Sequence, residues 1–277
     1  MNRYDRQETR LKTACILAAG TGSRLFPLTE SMPKCLTEVH GQPLLGRLIA
    51  SLREQGFKRL VFVLGHLEDS IRSYLEFHAA DLTIDYVSNP VFATTNNIYS
   101  LWLAREKLNE PFLLIESDLI FETPLLSALT YPDRIAVSHR LPWMRGTMVT
   151  TDGHRVTEFL LGENSNAAVA EYKTVNICSL SASSWSAIVA RLEQYISMGR
   201  VNDYYEAVFR DLVSEGRLDL QCVLFDENRW YEIDTLDDLR GAHETFARIG
   251  SIDMPTLPYS DVYSEDRRNP PPRAPVQ

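Results

Sequence analysis

One stretch constrains this chain more than any other. Residues 13–17, Thr-Ala-Cys-Ile-Leu, form a short apolar run that passes straight into Ala18-Ala19-Gly20-Thr21-Gly22-Ser23-Arg24-Leu25. The run predicts a buried strand, and the small residues Ala18, Ala19 and Gly20 let a ligand come up against backbone where larger side chains would stand in the way. Successive N–H groups across residues 20–23 suit an anion-binding concavity. Arg24 adds a planar, permanently charged fork, and Lys34, in Pro33-Lys34-Cys35-Leu36, adds a mobile point charge. A polyanion fits such a loop.

Spacing removes two competitors. A P-loop requires a lysine directly after its second glycine, and none follows Gly20 or Gly22. A dinucleotide fingerprint requires a third glycine where Leu25 stands and an acid about 20 residues further on, which is also missing. The plain alternative is a strand-to-helix turn with Gly20 and Gly22 at positive φ and Arg24 in water. It loses weight because Pro33-Lys34 and two downstream acidic blocks accompany the loop.

The rest of the chain alternates. Residues 44–55 carry apolar side chains at helical spacing, 59–64 read as a strand, 68–77 as a helix, 83–87 as a strand, 98–107 as a helix and 111–115 as an apolar strand. This predicts a single-domain, Rossmann-like α/β fold with a mainly parallel central sheet and helices on both faces. Ligands then bind at the carboxyl ends of the strands, where the glycine loop and Glu116-Ser117-Asp118 both fall. Residues 135–138, 147–151 and 155–160 are short strands, the last two split by the turn Asp152-Gly153, and predict a small β-rich region over an acceptor. Residues 173–180 resume a strand, 184–197 and 203–213 read as helices, 230–233 as a strand, and 236–249 as a helix ended by Gly250. Residues 1–10 are polar and expected to be flexible, 11–250 form the domain, and the proline-rich stretch 251–277 is expected to be disordered.

Asp118 follows an apolar run, and Tyr231-Glu232-Ile233-Asp234 repeats that pattern, with Glu232 and Asp234 on one face of a strand. A carboxylate just past a strand end suits a hard cation such as Mg²⁺ beside triphosphate oxygens. The plain alternative for Asp234 is a cap on the helix beginning near Leu236, and for Asn97 a cap on the helix beginning at Ile98.

These blocks resemble a known family. Leu-Ala-Ala-Gly-x-Gly-x-Arg followed by Pro-Lys is similar to the signature of nucleotidyltransferases that join a nucleoside triphosphate to a phosphorylated acceptor and release pyrophosphate. Asn96-Asn97-Ile98-Tyr99-Ser100-Leu101, Glu116-Ser117-Asp118, Val201-Asn202-Asp203-Tyr204-Tyr205 and Tyr231-Glu232-Ile233-Asp234 look closest to the small cytidylyltransferases that activate phosphocholine or phosphonates. The resemblance spans roughly residues 13 to 245. It implies CTP as donor, with Leu17, Ala18, Ala19, Gly20, Thr21, Gly22, Ser23 and Arg24 around the nucleotide and Asn89, Asn97 and Ser100 beside the base. Arg24 and Lys34 would be the catalytic cations. Asp118 and Asp234 would hold Mg²⁺ with Glu232 in support, while Glu116 stands where relatives often carry aspartate. An acceptor phosphoryl oxygen would attack the α-phosphorus in line, with no protein nucleophile.

Arg145, Lys173 and Tyr204 are the candidate acceptor contacts, with His139 and Arg140 nearby. Choline would need aromatic faces. Trp143-Met144-Arg145-Gly146 puts an arginine near the position expected of a tryptophan, which favours a small phosphonate, either one that carries a carboxylate such as phosphonoformate or an aminoalkyl or hydroxyalkyl phosphonate. Phosphocholine, a sugar 1-phosphate, and a sensor that binds nucleotide without catalysis remain as alternatives, and the oligomeric state is open.

Composition sets the outer bounds. A formal charge of −9 over 277 residues lacks the basic footprint of nonspecific nucleic-acid binding. No apolar run reaches membrane-spanning length, and four scattered cysteines without metal-ligand spacing suit free thiols. The expected setting is cytoplasmic, with no membrane or nucleic-acid partner.

Overall fold

The computed structural model describes residues 9–142, 144–162 and 170–246. The expectations for Gly250 and for the 251–277 tail fall outside these residues, as do most of the N-terminal segment and Trp143.

The first strand is buried along its whole length because it is an interior strand of a sheet covered on both faces. β1 (Thr13–Ala18) is followed by three short 3-10 turns and by a two-residue ladder of β2 (Glu38–Val39) with β3 (Gln42–Pro43). Next come α1 (Leu44–Glu54), β4 (Arg59–Leu64), α2 (Glu68–His78), β5 (Thr83–Ser88), α3 (Asn97–Ala104) and β6 (Phe112–Glu116). β4 and β6 flank β1 in parallel, and β5 adds to β4, also in parallel. Cys15, Leu17, Val61, Val63, Leu114, Ile98 and Leu101 pack into one apolar cluster. The alternate residues Ala14, Ile16, Leu60, Phe62, Leu113 and Ile115 are fully buried too, so both faces are covered, as a parallel sheet requires.

The second half is mixed. β7 (Leu119–Phe121), β8 (Arg134–His139), β9 (Met148–Asp152), β10 (Arg155–Leu160), β11 (Tyr172–Leu180), α4 (Ala182–Ser197), α5 (Glu206–Ser214), β12 (Gln221–Phe225), β13 (Trp230–Glu232) and α6 (Leu236–Thr245) complete the chain as described. The large sheet has nine strands in the order β5-β4-β1-β6-β11-β8-β12-β10-β9, and β9 pairs back onto β11. The parallel order expected from the alternation therefore holds for the four strands around β1 and for β8 with β12, while the other pairs of this sheet run antiparallel. The β-rich region is larger than the 135–160 stretch suggested, because β11 and β12 close it into a ring with β8, β9 and β10.

Two helix starts and one cap differ from the sequence expectation for identifiable reasons. Residues 203–205 do not join α5, because the backbone there serves the α3 turn: Asn96 N donates to Val201 O (2.9 Å) and Tyr205 N to Asn97 Oδ1 (3.0 Å). The cap of α3 is Asn96, whose side chain accepts from Asn97 N, so Asn97 is the first helical residue and its side chain is free for other work. The cap of α6 is Thr235, in a reciprocal capping box with Asp238, so Asp234 is not needed as a cap.

Candidate active site

Two strand ends and one antiparallel ladder bring the site together. β1 and β6 run in register with Leu17 beside Glu116, and Ser117 N donates to Leu17 O, so the glycine loop and Asp118 leave the sheet side by side. β7 pairs with β13 so that Glu232 faces Leu119, and Ile233 N donates to Asp118 O (3.0 Å), which sets Asp234 next to Asp118. These elements surround a cavity of about 960 Å³, at the upper end of the size range for small-molecule sites.

The loop is held from below and open above. Leu25 is fully buried as its anchor, and Thr29 Oγ1 donates to Gly22 O (2.8 Å). Gly22 has φ +63°, and a Cβ there would lie 3.0 Å from the Lys34 Cβ, so glycine is required for both conformation and space. Gly20 differs: its φ is ordinary, a Cβ would meet nothing within 4 Å, and the residue lines the cavity. Its small size leaves room for a ligand. We predict that Gly20→Ala keeps folding stability within about 0.5 kcal/mol and weakens nucleotide binding by about tenfold or more, read by calorimetric titration with CTP beside a thermal melt. Unchanged binding would mean that the loop does not touch the nucleotide.

Lys34 is the hub of the charges. Its Nζ donates to Asp118 Oδ2 (2.7 Å) and Asp234 Oδ1 (2.6 Å), and Arg24 reaches the same Asp234 oxygen at 2.8 Å. Burial works against the ammonium, but the charges of Asp118 and Asp234 and the hydrogen bonds to both outweigh it and raise the Lys34 pKa. Burial likewise works against the Asp234 carboxylate, but Lys34 and Arg24 hold it below its ordinary value.

Around this hub five acidic side chains, Glu116, Asp118, Glu206, Glu232 and Asp234, line the cavity with four basic ones, Arg24, Lys34, Arg140 and Arg145. Burial, reinforced by the charges of Asp118, Glu206 and Glu232, raises Glu116 well above the usual carboxylate range. Burial also raises Glu232, against the pull of Lys173. Glu206 is pushed up to about 7, again by burial. Oxygens of Glu116, Asp118 and Glu232 lie within 4.8 Å of one another, which suits a hard cation. Asp118 Oδ1 is buried without a hydrogen-bond partner, so it has an unmet need for positive charge or a donor. These acids can hold a metal ion, although the converging set contains Glu116 rather than the expected Asp234, which faces Lys34 and Arg24 instead.

Of the residues singled out in the sequence, those from Leu17 to Arg24, together with Lys34, Asn89, Asn97, Ser100, Asp118, Arg145, Tyr204, Glu232 and Asp234, line this one cavity. Lys173 does not. Its side chain is 2% exposed, and Nζ is 2.8 Å from Glu232 Oε2 and donates to Thr174 O, so it supports Glu232 from behind. His139 is also outside the lining, while Arg140 is part of it. Asn89 has its amide occupied by Thr95, Ser100 and Val91 N, and so shapes the 91–97 turn. Asn97 donates to Glu116 Oε1 (3.1 Å), tying α3 to the acids.

Two of the lining residues that escaped the sequence reading bear on the acids. Asn176 sits at an irregularity in β11 with φ +59° and donates to Glu232 Oε1 (3.0 Å). An asparagine inside an apolar strand was the available signal. Glu206 is 6% exposed at the first position of α5, and nothing in its local sequence separates it from an ordinary acid in a helix's first turn.

Comparison with known proteins agrees with this geometry. The sequence profile of the MobA-like NTP transferase domain matches residues 14–249. The CMP-5'-(3-aminopropyl)phosphonate synthase of Streptomyces rubellomurinus is 31% identical over 242 residues, which cover 84% of this chain and 38% of the synthase, so the chain spans well under half of that relative. The choline-phosphate cytidylyltransferase of Streptococcus pneumoniae is 27% identical over 232 residues, covering 83% of this chain and 96% of that one. The solved structure of the CTP:phosphocholine cytidylyltransferase from Streptococcus pneumoniae superposes with a TM-score of 0.72 at 27% identity, covering 85% of this chain and 99% of the other. Among the described residues no helix is long and apolar enough to cross a membrane.

Proposed function

The chain belongs to the MobA-like NTP transferase family, a family of nucleotidyltransferases, and on that footing we propose that it is a cytidylyltransferase that moves CMP from CTP onto a small phosphonate and releases pyrophosphate. The observation that carries this reading is the meeting, in one cavity, of an open glycine at Gly20 with Lys34 bridged to Asp118 and Asp234. Backbone amides across residues 20–23 take the triphosphate, and the 91–97 turn, braced by Asn89 and Ser100, faces the base. The similarity to a phosphonate cytidylylating enzyme and to a CTP-dependent one supports the choice of nucleotide and acceptor.

The chemistry needs no protein nucleophile. An ionised acceptor oxygen attacks the α-phosphorus, a new P–O bond forms, the bond to the β-phosphate oxygen breaks, and pyrophosphate leaves with the electron pair. Arg24 and Lys34 neutralise the charge that gathers on the α- and β-phosphates. Mg²⁺ fits the acids: Asp118, with its unpartnered oxygen, Glu232 and Glu116 would hold it, joined by Asp234 once Lys34 turns to a phosphate. When bound, it supplies further charge neutralisation on the triphosphate.

Phosphocholine is the second reading, favoured by the near full-length match to a choline-phosphate enzyme. The aromatic side chains described in the cavity lining are Phe92 and Tyr204, and Tyr205 is 3% exposed and packed inward, which is a thin cage for a quaternary ammonium.

The test is Mg²⁺-dependent pyrophosphate release from CTP, run in parallel with 2-aminoethylphosphonate, phosphonoformate, phosphocholine and glucose 1-phosphate. The proposal expects release with a phosphonate. Release with phosphocholine alone selects the second reading, release with the sugar phosphate alone selects a sugar nucleotidyltransferase, and CTP binding without release from any of them means a sensor.

A further inference from the structure

Glu206 is a buried carboxylate that the phosphoryl chemistry does not use. It lines the cavity at the start of α5 with 6% of its surface exposed. Its Oε1 accepts from Thr147 Oγ1 (3.3 Å), while Oε2 is buried and has no hydrogen-bond partner. Asp118 Oδ1 is the other cavity-lining side-chain oxygen left in that condition among the described residues, and it sits in the Lys34 cluster. A buried carboxylate oxygen without a donor is costly, and a ligand that brings a charged N–H recovers that cost. Its charge acts on Glu116, and its own contact is Thr147, which precedes β9; the half-exposed Tyr204 stands two residues before it. Lys173, whose charge also reaches Glu206, is bonded to Glu232 at 2.8 Å.

Resting on the cytidylyltransferase reading, we propose that Glu206 selects an acceptor carrying a primary ammonium at the end opposite its phosphonate, with an ammonium N–H donating to Oε2. A quaternary ammonium has no N–H and leaves that oxygen unmet. A carboxylate at the same place is repelled. The class that fits is therefore an ω-aminoalkyl phosphonate, ahead of phosphocholine and of carboxylate-bearing phosphonates such as phosphonoformate. The selection is one of specificity, since Glu206 touches the far end of the acceptor and not the reacting atoms.

The experiment compares 2-aminoethylphosphonate with its uncharged isostere n-propylphosphonate, with the N,N,N-trimethyl derivative and with phosphonoacetate, on the wild-type protein with CTP and Mg²⁺. The wild type is expected to favour the primary amine over the propyl isostere by about tenfold or more in kcat/KM. Glu206→Gln is expected to lose about 10²-fold for the amine, mainly through KM, and less than about threefold for n-propylphosphonate. Equal turnover of amine and isostere by the wild type overturns the inference and leaves the cytidylyltransferase reading standing. An equal loss on both acceptors in Glu206→Gln also overturns it, because that pattern marks a structural role. Failure of every phosphonate overturns both the inference and the reading beneath it. If the variant does not fold, the wild-type comparison still decides.

Discussion

Lys34→Met is expected to lower kcat/KM for pyrophosphate release by about 10³-fold or more, the range seen when a preorganised charge at a phosphoryl-transfer or oxyanion site is removed. Methionine keeps much of the stem that packs beside Gly22 and removes only the charge and its hydrogen bonds. Stability should fall as well, because Asp118 and Asp234 each lose a bond of 2.6 to 2.7 Å at side chains that are only 13% and 22% exposed. Arg24 still holds Asp234, so the loss should be about 2 kcal/mol, below the ~3–5 kcal/mol of a fully buried broken pair. The loss has a pH window. Asp234 is held below its ordinary value, so its pairing stabilises the fold above about pH 4 and is lost as pH falls through the depressed pKa. Lys34 is raised, so its contribution is present below about pH 10.4 and is lost only as pH rises through the higher folded value. The gap in melting temperature between wild type and variant should therefore be full from about pH 5 to 10 and should close on acidification. Wild-type turnover in Lys34→Met would remove the residue from the mechanism.

Asp118→Asn should separate activity from stability. The change removes the unpartnered acidic oxygen from the converging trio, and turnover with CTP and acceptor is expected to fall by about 10³-fold, without recovery at high Mg²⁺. Folding without metal should change by no more than about 1 kcal/mol, roughly 3 °C in melting temperature, because the lost attraction to Lys34 and the relieved repulsion among the acids offset each other. The Asp118 charge is one of the groups that push Glu116 and Glu232 upward, so removing it relieves repulsion among buried acids. The amide oxygen of asparagine can still accept from Lys34. A variant that is both inactive and strongly destabilised would assign Asp118 to the scaffold, and one that keeps full turnover would exclude it from the metal site.

These two residues show what the sequence discloses about such a site. Gly20, Arg24 and Lys34 were legible because the requirement they meet is local: small residues after a buried strand, then cations within one loop. Asp118 and Asp234 were legible because a carboxylate directly past an apolar strand has few places to go except the carboxyl edge of the sheet. The pairing of β7 with β13 that brings them together is a tertiary fact with no local signal. Lys173 was misplaced for a related reason. β11 is paired along both edges, and Lys173, Thr174 and Val175 are all buried, so alternation along the strand cannot say which face meets the cavity. The irregularity at Asn176 breaks the alternation further. Asn96 and Asn97 exchanged roles because both are good caps and the difference lies in backbone dihedrals. Glu206 looked like any acid opening a helix, and its burial follows from a cavity whose walls come from β9, β6 and the 96–97 turn.

The central claim is that the acceptor attacks the α-phosphorus of CTP, and phosphorus NMR of a single reaction tests it most directly. With CTP, Mg²⁺ and 2-aminoethylphosphonate, the account predicts a new phosphonate–phosphate anhydride growing in step with an equal amount of pyrophosphate. Formation of CDP, with the γ-phosphoryl group either joined to the acceptor or released by water as inorganic phosphate, would place the attack at the γ-phosphorus and contradict the account, as would a spectrum in which CTP and acceptor stay unchanged.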